Sequence, residues 1–201
     1  MAQNFAQLAI NAEKKRTSLS ISKQPINKPE LEIHTLGNAA LRQSAKRISK
    51  VDGSVRDLIK KMLHSMYSAK GIGLAAPQVG IQQQVLVIDL DIESSTTPPI
   101  VLVNPEITEF SPSVNGYEEG CLSIPGVYLD VVRPSSIKVN FRDEMGRPKK
   151  LNTDGLLARC IQHEMDHLKG VLFVDRVTNE QDLKQELKEH GFEKKDVFSI
   201  Y

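Results

Sequence analysis

Net charge is almost missing from this chain. Its 26 Lys and Arg stand against 25 Asp and Glu, leaving +1, so no global field steers it toward nucleic acid or an acidic surface. Cysteine is scarce: Cys121 and Cys160 could form one bridge at most. With no secretory signal in view, free thiols in a reducing compartment are the expectation. Long apolar runs are lacking too. The run Ile100 to Val103 falls far short of the ~20 residues that cross a bilayer, which points to a soluble, intracellular protein. There is no internal repeat and no low-complexity tract. What remains is 201 residues, 40% apolar and 25% charged, enough for one domain with a real core.

Residues 1–30 differ from the rest. They carry Lys14, Lys15, Arg16, several serines and Pro25 without sustained apolar periodicity, and read as a mobile basic arm rather than a targeting peptide. A body over 31–177 and a C-terminal helix and tail over 178–201 follow. Leu31 to Leu36 looks like a short strand. Val55, Leu58, Ile59, Met62, Leu63 and Met66 recur at helical spacing, with Asp52 or Ser54 as cap and Gly71 as the stop. Strand-like runs are Gln84–Asp89, Ile100–Val103, Ile107–Phe110, Val127–Val132 and Ile137–Phe141, with a turn at Asp143–Gly146. Further helices are expected over Leu156–Lys169 and Glu180–His190. Strands in the middle and helices at both ends predict an α+β fold.

The sharpest chemical signal is His163-Glu-Met-Asp-His167. On a helix, residues four apart share a face, so both imidazoles can reach one divalent metal. Glu164, a third of a turn away, can act as base toward water activated there. The flanking Leu157, Ile161, Met165 and Leu168 bury one side of that helix. A catalytic centre of this kind wants a third protein ligand. Cys160 lies seven residues before His167, an axial rise of ~10.5 Å, and cannot easily join both rings. Cys121, in Glu118-Glu-Gly-Cys-Leu-Ser123, comes from another segment and is the better candidate. Gly71-Ile-Gly-Leu-Ala-Ala-Pro-Gln78 could let a substrate backbone lie close, with Gln78 offering an amide donor; it is no phosphate loop. His34, His64 and His190 lack partners at ligand spacing.

Residues 71–78, 119–123 and 162–167 resemble, in order and separation, the three signature motifs of the peptide deformylase family, and the resemblance runs from about Leu31 to Val177. It implies a fold in which antiparallel sheets surround a central HExxH helix. It also implies a hydrolase acting on a linear amide: removal of formyl, as formate, from the N-terminal formyl-methionine of newly made polypeptides. Carried over by position, Cys121, His163 and His167 are metal ligands. Glu164, the Gln78 amide and the Leu122 backbone N–H are catalytic. Ile72, Gly73, Leu156 and Cys160 surround the substrate, and Glu119 supports the site through hydrogen bonds. Asp166 either does the same or anchors a neighbouring strand. Fe2+ is the implied native ion, and Zn2+, Ni2+ or Co2+ suit the same donors. The implied partners are formylmethionyl nascent peptides and the ribosome near the nascent-chain exit, with neither membrane nor sequence-specific nucleic acid.

Two positions depart from the pattern. Tyr128 stands where some bacterial members carry arginine, and Arg159 where an apolar residue often flanks the pocket. Tyr128 and the basic N-terminal stretch are similar to cyanobacterial and plastid forms, so the compartment reads as bacterial cytoplasm, with a plastid-type organelle as alternative. The rival functions are a zincin-type endopeptidase, against which Cys121 argues, and a metal-stabilised binding module without catalysis.

Overall fold

A computed structural model describes residues 21–94 and 97–200. Of the expected N-terminal arm, residues 1–20 lie outside the described residues. Residues 21–30 are tied to the body: Ile26 N–H donates to Ser68 Oγ at 3.0 Å and Ile21 packs on the core.

Among the described residues the first α-helix, α1 (Gly53–Ser68), starts at Asp52, whose side chain accepts from the Ser54 and Val55 N–H groups, satisfying donors that the first turn leaves open. Its apolar stripe is buried as the spacing predicts. The stop is different. Lys70, at φ 56°, takes the left-handed position expected of Gly71, a strained choice for a residue with a Cβ. Gly71 serves another purpose, for an added Cβ would lie 2.5 Å from Leu122 Cδ1.

Seven strands follow: β1 (Gly73–Ala75), β2 (Val85–Ile88), β3 (Ile100–Phe110), β4 (Val114–Cys121), β5 (Ile124–Pro134), β6 (Ser136–Arg142) and β7 (Pro148–Asp154). Five form an antiparallel sheet in the order β1-β2-β3-β6-β7, while β4 and β5 pair as a separate ribbon. Two expected strands, 100–103 and 107–110, are one strand interrupted by register shifts. At the first shift Asn104 turns to φ 51° and its side chain trades hydrogen bonds with Ile48 N and O. Residues 31–36 are not a strand. They bond to separate parts of the body, with His34 N–H donating to Gln78 O, Leu36 N–H to Ser123 O and Ser65 Oγ to Leu31 O. The turn at 143–146 is present, closed by Gly146 N–H to Asp143 O.

Two helices complete the fold, α2 (Gly155–His167) and α3 (Glu180–Glu189). Alternation along β2 divides the core. Val85 and Val87 meet α1 on one face, and Leu86 and Ile88 meet Ala158, Ile161 and Met165 of α2, with Leu168 just past its end, on the other. A third cluster joins Val127, Leu129 and Val131 of β5 to Leu183 and Leu187 of α3. Gln162 Nε2 donates to Pro134 O and Arg133 to Asp166, so helix α2 lies between the sheet and the ribbon, and every residue from Ala158 to His167 is buried. The architecture is α+β. Among the described residues no helix is long and apolar enough to cross a membrane.

Candidate metal centre

Because α2 is covered on both sides, its polar residues need partners within the protein. His163 and His167 stand one turn apart with ring centroids 5.1 Å from each other, and Phe173 stacks on His163 at 5.9 Å. His163 Nδ1 is 2.9 Å from Glu119 Oε2, which fixes the ring and leaves Nε2 to face the site. Cys121 arrives at the end of β4, where the ladder shifts register and the chain turns tightly into β5. The turn is braced by Ser123 N–H, which donates to Cys121 Sγ at 3.4 Å.

Cys121 Sγ lies 3.3 Å from His167 Nε2, and ligand atoms of Cys121, His163 and His167 all fall within 4.8 Å of one another. A tetrahedral ion with bonds of ~2.0–2.3 Å needs donors roughly 3.3–3.6 Å apart; the Cys121–His167 pair has that spacing, and the three residues together could hold one cation. No other such group occurs among the described residues. Cys160 stays out of it, buried on the cavity side of α2, where burial, with Glu164 and Glu119 adding to it, pushes its thiol up to about 12.

Glu164 is 5% exposed and its Oε2 has no hydrogen-bond partner. Burial pushes this carboxyl up to about 7, Glu119 and Asp166 adding to the effect while His163 and Arg133 oppose it. The wall opposite is Gly73, where a Cβ would collide with Glu164 Oε1. That collision is the requirement for glycine there. Gln78 sits in a short 3-10 turn (Ala76–Val79). Its Oε1 accepts from Ala75 N–H at 2.8 Å, and its amide donates to Ser123 Oγ at 3.1 Å and Cys121 Sγ at 3.5 Å.

A buried chain of charges lies behind the rings. Arg133 clasps Glu119 through two bonds of 2.7 and 2.9 Å and reaches Asp166 at 2.6 Å. Arg176 holds Asp166 from the other side, and Arg159 adds a 2.6 Å bond to Glu119. Burial alone would raise the Glu119 carboxyl. The bonds from His163 and Arg133 outweigh it and hold Glu119 well below the usual carboxylate range. Both Glu119 oxygens are bonded to protein side chains, Oε1 to Arg133 and Arg159 and Oε2 to Arg133 and His163. Asp166 reaches β5 through Arg133, the same side chain that clasps Glu119, so both roles left open by the sequence run through one residue. Arg159 does not narrow the pocket as a free cation: it is tied to Glu119, to Val131 O and to Asn115. Sequence reasoning missed Arg133 and Arg176. No local spacing marks them, and the only available signal was that a buried Glu119 and Asp166 need countercharge.

The centre opens into a cavity of about 570 Å³ lined by Ile72, Gly73, Leu156, Cys160, Tyr117 and Tyr128, among others. Tyr128 packs over Gly120, where a Cβ would lie 2.5 Å from Cε1. A cysteine sulfur, two imidazoles and an unpartnered carboxyl oxygen beside a mostly apolar cavity are the donor set and base of a metal-dependent hydrolase. Comparison with known proteins gives its family. The model of the polypeptide deformylase family matches residues 30–183. A peptide deformylase of Prochlorococcus marinus is 79% identical over 200 residues, covering 100% of this chain and 98% of the relative. One from a Synechococcus species is 64% identical, covering 100% of both. The crystal structure of the Synechococcus elongatus peptide deformylase in complex with actinonin superposes with a TM-score of 0.89 at 54% identity, over 90% of this chain and 98% of that one. That of the Legionella pneumophila peptide deformylase gives 0.74 at 39%, over 80% and 95%. The chain belongs to the peptide deformylase family, metal-dependent hydrolases that release formate from the N-terminal formyl-methionine of newly synthesised polypeptides.

Proposed function

We propose that Cys121 Sγ and one ring nitrogen each of His163 and His167 hold a single divalent cation, and that the residues around it deformylate a peptide lying in the cavity. When bound, the cation supplies Lewis acidity toward water and toward a carbonyl oxygen. The other steps fall to the chain's own groups. Glu164 Oε2 takes the proton lost as water adds to the formyl carbon. The same carboxyl passes a proton to the amine nitrogen as the C–N bond breaks, leaving formate and a free N-terminus. Gln78 Nε2 and the Leu122 backbone N–H donate to the formyl oxygen as negative charge gathers there. Gln78 is held for this by the Ala75 N–H on its Oε1.

The methionine side chain enters the apolar part of the cavity at Ile72, Leu156 and Cys160, and the peptide backbone pairs with β1 as an added strand. The position of β1 at the sheet's edge supports this. Fe2+ is the native ion in this reading. Aerobic purification then yields low activity that Ni2+ or Co2+ exchange restores, and equal, oxygen-insensitive activity with Zn2+ alone would overturn it. This reading puts the enzyme in a bacterial cytoplasm near the ribosome's nascent-chain exit, which co-sedimentation with translating ribosomes tests.

The carrying observation is the approach of Cys121, His163 and His167 within 4.8 Å beside an unpartnered Glu164 Oε2. The test is formate release from formyl-Met-Ala-Ser, with metal content measured on the same sample and an unformylated peptide alongside. Internal peptide cleavage without formate would hand the site to an endopeptidase.

A further inference from the structure

The edge of the cavity is pinned by a residue of the N-terminal segment. Strand β1 is three residues long and lies at the sheet's edge, so its placement depends on what holds its approach. Asp89 N–H donates to Ile72 O at 2.9 Å, just before β1 and on the cavity wall. Asp89 is 3% exposed, and its carboxylate is gripped from three directions. Tyr67 O–H donates to Oδ2 at 2.8 Å and Asp91 N–H to Oδ1 at 3.0 Å. Lys23 Nζ lies 2.6 Å from Oδ2 while donating to Asp91 O at 2.8 Å. Lys23 is the only cation paired with Asp89 among the described residues. The segment bearing it follows α1: Ile21 packs on the core, Ile26 N–H meets Ser68 Oγ, and Ser65 Oγ donates to Leu31 O at 2.7 Å.

We infer that Lys23 is a positioning residue for deformylation: by holding Asp89 it fixes the Ile72–Gly73 edge against which the peptide backbone lies. The inference rests on the reading that peptide pairs with β1. Without the ammonium group, the Asp89 carboxylate is left buried and uncompensated, so it shifts or draws in water. Ile72 is bonded to the Asp89 backbone and moves with it. Peptide binding then suffers ahead of the chemistry at Glu164.

The decisive variant is the double exchange Lys23→Met with Asp89→Asn, which removes the pin without leaving a buried charge. Melting temperature, metal content, kcat and KM are measured with formyl-Met-Ala-Ser. Expected are unchanged melting and metal, kcat within about two-fold and KM raised about five-fold or more, the pattern of lost ground-state binding. Lys23→Arg alone keeps the parent KM. A folded, metal-loaded double variant with the parent KM would overturn the inference, leaving Lys23 a stabilising residue only. Should the double variant fail to fold, the KM of Lys23→Gln, which retains an amide donor, decides the matter the same way. Absence of formate release by the unaltered protein would strike the deformylase reading instead.

Discussion

A single methyl group tests the arrangement at its tightest point. Gly73 does not occupy the left-handed region, so Gly73→Ala is allowed conformationally and the Cβ contact alone is at issue. That Cβ would sit 3.0 Å from Glu164 Cδ and 3.2 Å from Cγ, against ~3.5–4.0 Å for carbon atoms in ordinary contact. The carboxyl and β1 must separate by roughly 0.5–1 Å to relieve it. A displacement near 1 Å of a reacting group costs on the order of 10²-fold in rate. The prediction is therefore a kcat lowered by about 10²-fold, with metal content unchanged because the three atoms nearest that Cβ all belong to Glu164. If β1 moves instead of the carboxyl, KM rises and kcat holds. The assay is steady-state formate release on a sample whose metal has been quantified. An alanine variant with both kinetic constants within about two-fold of the parent would show that Glu164 does not work from this position.

Glu164→Gln keeps the shape of the side chain but cannot carry a proton; it is expected to retain metal and fold while losing about 10²-fold or more in turnover, and near-parent turnover would return the site to a binding module. Glu119→Gln leaves two guanidinium groups around a neutral amide. Metal affinity should fall about 10–100-fold and stability by about 3–5 kcal/mol, read by chelator competition and urea unfolding. Cys121→Ala loses the metal and Cys160→Ala keeps it, as elemental analysis would show. Folding raises the Cys160 thiol from 9.0 to about 12, so the folded chain keeps a proton that the unfolded chain has released. Stability is unaffected below pH 9 and falls as pH rises toward 12, by on the order of 1 kcal/mol at pH 10. Urea unfolding of the parent against Cys160→Ala measures this, and identical pH slopes would refute it.

Local spacing carried a good deal of this protein. His163 and His167 face one point because a helix repeats every ~3.6 residues, whatever surrounds it, and the same arithmetic kept Cys160 out. The stripe from Val55 to Met66 found α1, and Asp143 with Gly146 found the hairpin turn. Elements with weak local signals were lost: β4 reads Val-Asn-Gly-Tyr-Glu-Glu-Gly-Cys and is mostly exposed, while β7 opens on Pro148 and is an edge strand. Both are strands because a partner's backbone bonds them, and pairing of that kind leaves no periodicity in an exposed sequence.

What only the tertiary structure decided are the meetings between distant segments. The sulfur of Cys121 and the ring of His167 are 46 positions apart in sequence, Lys23 and Asp89 are joined across α1, and Arg133 links Glu119 to Asp166. Gly71 read as a helix stop and Gly73 as room for a substrate backbone, yet at each a side chain from elsewhere, Leu122 or Glu164, fills the space a Cβ would take. Residue type and spacing determine what a segment can do chemically; which charge neutralises which, and which glycine gives way to which neighbour, follow from burial and close packing, and those exist only once the chain has closed on itself.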